Sequence, residues 1–169
     1  FRLPKSKVAI SWVLGADDNF FWIPALMATY AAAAGPKNLT VLPNWDHGVP
    51  PELDEQVFVW LDTQLKGAPA FLAVTPLEVK KNKDGALTAQ WTFRGPRTMK
   101  SADLILSYGK AGNWQSRYSI TLPAAVVGDR CTVTLPPCAL PCYIGGAVTD
   151  TNGFGYSTPI IAVNPADHG

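Results

Sequence analysis

Over the first 68 positions the apolar residues recur with two different periods. Val8-Ala9-Ile10-Ser11-Trp12-Val13-Leu14 is a nearly continuous apolar run, the pattern of a parallel strand covered on both faces. Ile23, Leu26, Met27 and Tyr30 then follow at the spacing that puts them on one face of a helix. Asn19 is available to cap this helix, and Pro24 is tolerated near its start because the N–H it lacks would have been an orphan. Gly35-Pro36 is expected to stop it, with glycine in a left-handed cap and proline unable to continue. Leu39-Thr40-Val41-Leu42 reads as a second strand, ended by Pro43. Pro50-Pro51-Glu52 opens a second helix, with Glu52, Asp54 and Glu55 where the helix dipole favours acids. Its expected core stripe is Leu53, Val57, Trp60, Leu61 and Gln64 or Leu65, and Lys66-Gly67 ends it. The order strand, helix, strand, helix predicts a βαβα unit whose two parallel strands end side by side.

From Ala68-Pro69 onward the helical spacing gives way to alternation. Leu77 to Asn82 and Ala86 to Arg94 flank Lys83-Asp84-Gly85, a hairpin signal because Asp-Gly tolerates positive φ. Further strands are predicted at 102–109, 115–122, 130–135, 142–150 and 156–163. About seven short strands in under 100 residues is the count of an immunoglobulin-like or fibronectin type III-like sandwich. The predicted organisation is therefore α/β plus all-β, with residues 1–68 as the α/β portion, 69–73 a linker, 74–165 a β-sandwich and 166–169 a tail.

A hydrophobic content of 47% with 16% charged residues is ample for packed cores. The formal charge of +1 offers no electrostatic footprint for nucleic acid, and Lys80, Lys81 and Lys83 read as a solvated hairpin tip. No apolar run reaches the roughly 18 residues of a membrane helix. The chain opens on Phe1, so a start is expected to have been removed or not included. The three cysteines are too few for a disulfide framework. Cys138 and Cys142 flank Ala139-Leu140-Pro141, where a bridge is sterically possible and is expected if the protein is exported. Cys131 reads as a small core residue, placed opposite position 146 by a hairpin centred near residue 138. Ligands for a zinc site are too few and too far apart, so neither metal nor cofactor is expected.

Chemistry concentrates where the two strands of the α/β portion end. The first stops on Gly15 and delivers Asp18; the second stops on Pro43 and delivers His47, about 30 residues later, the length of one crossover unit. Gly15-x-x-Asp18-Asn19-Phe20-Phe21-Trp22 and Gly35-Pro36-Lys37-x-Leu39-x-x-Leu42-Pro43-Asn44-x-Asp46-His47 resemble the last part of α/β-hydrolase catalytic domains. The likeness is to PhoPQ-activated pathogenicity-related proteins, with prolyl oligopeptidase-like and acetyl xylan esterase-like hydrolases as neighbours. In that fold the triad runs nucleophile, acid, base along the chain, so the resemblance makes Asp18 the acid and His47 the base. The acid falls three residues after the glycine, which leaves Asp17 as the rival. The resemblance also implies export to the periplasm or medium.

The nucleophile belongs in a Gly-x-Ser-x-Gly elbow, and no serine here has those flanking glycines. The chain is thus expected to be the C-terminal part of a longer serine hydrolase, inactive alone, acting when complete on a small ester, peptide or glycan ester. Two apolar strands with no further parallel partners imply an open edge, to be covered by the upstream segment or by self-association. Asp46 is expected to orient the loop, to touch a substrate or simply to be exposed. Phe20, Phe21, Trp22 and Trp45 line a pocket or pack against the missing half of the sheet. A different class of function stays open: a non-catalytic binding or adhesion module, with Trp91, Trp114, Tyr108, Tyr118, Tyr143 and Tyr156 forming a carbohydrate-binding face.

Overall fold

Strand β1 (Ile10–Gly15) runs parallel to β2 (Lys37–Leu42), with Trp12 beside Leu39 and Leu14 beside Val41. The structure, a computed structural model, describes residues 3–109, 112, 117–137 and 141–164. Strand β1 begins two residues later than expected, and Val8 is exposed. Side chains alternate between the faces of a strand. Trp12, Leu14, Leu39 and Val41 therefore share one face, where Ile23, Leu26, Met27 and Tyr30 of helix α1 (Ile23–Ala32) pack with them. The opposite face carries Ser11, Asn38 and Thr40, and helix α2 (Asp54–Lys66) reaches it through Gln56.

Three local expectations are corrected. Asn19 does not cap α1, which starts after Trp22 with no side-chain cap. Gly35 is not a left-handed cap either, because α1 ends on extended backbone at Ala33. Lys37 instead donates to the carbonyls of Tyr30 (2.9 Å) and Ala33 (3.1 Å), satisfying the helix end. Glycine is needed at position 35 for room, since a Cβ there would lie 2.2 Å from the Val8 carbonyl oxygen. On α2 the buried positions are Gln56 and Trp60, whereas Leu61 and Leu65 of the expected stripe are exposed, as is Phe58. Gln56 takes the inward position because its amide is fully engaged there, which rotates the leucines outward.

Beyond α2 the described residues form ten short strands: β3 (Ala73–Val74), β4 (Glu78–Lys81), β5 (Leu87–Arg94), β6 (Met99–Tyr108), β7 (Ile120–Pro123), β8 (Ala125–Val127), β9 (Arg130–Thr134), β10 (Cys142–Asp150), β11 (Gly155–Ser157) and β12 (Ile161–Val163). One antiparallel sheet has the order β3-β5-β9-β8 with β4 also on β5; the other has β11-β10-β6-β7 with β12 also on β10. The chain is thus mainly β with two α-helices. Strands β3 and β8 are too short for alternation to reveal them, and the expected strand 156–163 is broken around Pro159, which has no N–H to give a ladder. Strand β9 pairs with β5 and β8, so Cys131 faces Trp91 and Val126 across the sheet and not position 146. Cys142 is buried at the start of β10. Its expected partner Cys138 lies outside the described residues.

The two parts share one core. Within the segment expected as a linker, Phe71 and Leu72 are buried, and the Phe71 ring meets Trp60 of α2 at 5.3 Å and Tyr156 edge-on at 5.4 Å. Gln56, fully buried, donates to Thr40 Oγ1 (2.8 Å) and the Gly155 carbonyl (2.9 Å) and accepts from Gly155 N–H (2.9 Å). Thr40 Oγ1 also donates to the Gly155 carbonyl (2.7 Å), and the outward N–H of Val41 donates to Ser157 Oγ (3.0 Å). Strand β11 thereby closes the outer edge of β2. The outer edge of β1 pairs with no strand among the described residues.

Candidate active site

Asp18 sits in the turn after β1, where the chain stops being extended and enters α1. One carboxylate oxygen, Oδ1, accepts from the N–H groups of Phe20 (2.7 Å) and Phe21 (2.9 Å). The other, Oδ2, lies 2.9 Å from Nδ1 of His47. Asp18 is buried while the imidazole is about half exposed, its side chain retaining 46% of its accessible surface. Burial pushes the Asp18 carboxyl up, but hydrogen bonds from Phe21 N–H, His47 and Phe20 N–H together outweigh it and hold the group below its ordinary value. An ionised carboxylate only accepts, so Nδ1 carries the proton, and in the neutral imidazole Nε2 presents its lone pair. Nε2 has no hydrogen-bond partner among the described residues.

Phe20 and Phe21 flank the imidazole, with ring centroids 4.8 and 5.3 Å from it. Both are exposed, as are Trp22 and Trp45, and the two phenyl rings border the half-open histidine. Trp45 Nε1 donates to the Gly48 carbonyl at 3.2 Å, folding the loop back on itself. Asn19 and Asp46 are exposed, and no side-chain bond joins either to the pair. Asp17 stands apart from His47: its N–H donates to the Trp45 carbonyl (3.0 Å), and its Oδ1 is buried without a hydrogen-bond partner among the described residues. Burial, and then the nearby Asp46 carboxylate, raise its pKa. Of the two acids, Asp18 is the one brought to the base.

Two residues that place His47 were given no part in holding it by the sequence. Gly15 lies directly under the histidine loop, and a Cβ there would be 2.0 Å from the Trp45 carbonyl oxygen and 2.2 Å from that of Asp46. Asn44 adopts the left-handed region at φ 54°, which asparagine tolerates better than most residues. Its amide donates to the Ser119 carbonyl (2.8 Å) and accepts from Ser119 N–H (2.8 Å). An asparagine directly after a strand-ending proline is the signal that marks it.

The sandwich aromatics do not line up as one face. Trp91 and Tyr156 are core side chains, Trp91 packing where Gly146 leaves room for its ring. Tyr108 and Tyr118 are exposed, Tyr143 is half-buried beneath the Arg117 guanidinium, and Trp114 lies outside the described residues. Among the described residues no three His, Cys, Asp or Glu side chains gather as a metal site, and no helix is long and apolar enough to cross a membrane. The chain matches none of the known family models and none of the curated proteins.

Proposed function

We propose that this chain supplies the acid and the base of a Ser-Asp-His triad in a serine hydrolase of the α/β-hydrolase type. The observation that carries the reading is the 2.9 Å contact between a buried, doubly N–H-bonded Asp18 and Nδ1 of a half-exposed His47. The two groups stand where adjacent parallel strands end, the place at which open α/β sheets gather their chemistry. In this role His47 Nε2 takes the proton of the nucleophile's hydroxyl and returns it to the leaving group. Asp18 holds the tautomer and stabilises the imidazolium. The open edge of β1 supports the companion proposal that an upstream segment of the protein pairs there and brings the serine. Small esters, peptides and glycan esters are the substrates such a triad admits. The two antiparallel sheets support the proposal that the second part is an immunoglobulin-like sandwich, and export is proposed on the hydrolase resemblance.

The test is activity of the complete protein towards p-nitrophenyl acetate, together with labelling by a fluorophosphonate probe. His47→Ala is expected to lower turnover by several orders of magnitude, Asp18→Asn by somewhat less, and Asp17→Asn only mildly. A severe Asp17→Asn effect would reassign the acid. Turnover by the 169-residue chain on its own, lost on His47→Ala, would refute the upstream nucleophile.

A further inference from the structure

We infer that the β-sandwich is part of the machinery that aims the base: Asn44, gripped by the backbone of Ser119, is a positioning residue for His47. This inference rests on the acid–base reading above. The acid and the base owe their placement to different parts of the fold. Asp18 is fixed within its own turn, by the N–H groups of Phe20 and Phe21. The loop carrying His47 leaves β2 through Asn44, three residues before the imidazole, and Asn44 is the point at which the sandwich holds it.

The hold has two points. The Asn44 carboxamide donates to one Ser119 backbone group and accepts from the other, each at 2.8 Å, the arrangement of one rung of an antiparallel ladder. Ser119 is itself immobilised because the chain continues from it into β7, where Ile120 pairs with Leu106 of β6. Behind the loop, β11 clamps β2 through Thr40 and Val41. A left-handed backbone at a non-glycine residue persists when its surroundings over-determine it, and these two bonds do so at Asn44. On the side of the acid, the loop is limited by the Asp17 N–H bond to the Trp45 carbonyl and by the bare surface of Gly15. The loop is therefore set between the sandwich and β1, and the separation of His47 from Asp18 depends on how the sandwich seats against β2. A shift of about 1 Å is enough to lower catalysis about 100-fold.

Asn44→Gly separates the anchor from the backbone, since glycine takes the left-handed conformation freely but makes neither bond to Ser119. The readout is the Nδ1–H of His47, followed by NMR in isotope-labelled protein and assigned by its loss in His47→Ala; the chain has only two histidines. In the wild type this proton, bonded to a buried carboxylate, is expected to exchange slowly, and Asp18→Asn is expected to speed its exchange. The inference expects Asn44→Gly to speed that exchange about tenfold or more while the thermal midpoint moves by only a few degrees. Exchange at the wild-type rate in folded Asn44→Gly overturns the inference and leaves the acid–base reading intact. A wild-type Nδ1–H that is insensitive to Asp18→Asn overturns both. Should Asn44→Gly not fold, Asn44→Asp replaces it, since it tolerates the same backbone and keeps the acceptor for the Ser119 N–H, but turns the donation to the Ser119 carbonyl into a contact between two acceptors. About threefold faster exchange is then expected, and an unchanged rate refutes the role.

Discussion

Replacing Gly15 by alanine tests whether the histidine loop rests on bare backbone. The added Cβ would sit 2.0 Å from the Trp45 carbonyl oxygen, where ordinary contact begins at 3.4 Å, so the loop or the strand end must yield by about 1.4 Å. The obstacle is backbone on both sides, which no change of rotamer relieves. The loop that moves holds the acceptor of the Asp17 N–H and the base bonded to Asp18. Overpacking of this kind costs about 1–3 kcal/mol, which for a chain of this size lowers the thermal midpoint by about 2–12 °C. Thermal and urea unfolding measure the stability, and exchange of the His47 Nδ1–H reports the broken pair. Gly112→Ala is the control, because its Cβ would meet nothing within 4 Å among the described residues, and a change within about 0.5 kcal/mol is expected. If Gly15→Ala unfolds with the control and keeps the wild-type imidazole signal, the close approach of loop to strand does not hold.

Gln56→Ala removes a side chain bonded to both Thr40 and Gly155 and leaves the part-buried Gly155 N–H without its partner; a loss of about 2–4 kcal/mol is expected in urea unfolding. That unfolding is expected to stay a single transition, because α2 and the sandwich share the Trp60 and Phe71 packing, and two separate transitions would contradict the shared core. Asp18, held below its ordinary pKa, contributes stability that is present above the unfolded value of about 3.9 and lost as the pH falls through the folded value. Stability measured against pH is therefore expected to drop below about pH 4, and to drop less in Asp18→Asn. The Cys131 thiol is fully buried, and burial, with Asp129 adding to it, pushes its pKa up to about 11. It is expected to resist thiol reagents in the native protein and to react only on unfolding, as read by mass.

Much of the local structure is determined by sequence alone, because short-range chemistry decides it. The apolar run ending at Gly15, the one-faced helix from Ile23 and the Lys83-Asp84-Gly85 hairpin with Gly85 at φ 88° each follow from periodicity or from what glycine permits. The spacing of Asp18 and His47 was equally legible, since a single crossover unit brings two strand ends side by side. What the sequence by itself did not determine depends on partners distant in the chain. The alternation that marks a strand does not say which strand lies beside it, so the hairpin that put Cys131 opposite position 146 gave way to pairing with Trp91. Helical spacing finds an apolar stripe on α2, but Gln56 turned inward because Gly155, 99 residues away, supplies matching backbone groups. The hold of Ser119 on Asn44 spans 75 residues, and the contact of Gly15 with the histidine loop exists only once β1 and β2 are paired. Tertiary structure decided these because a buried polar group settles where its hydrogen bonds are completed, and no local pattern encodes where that is.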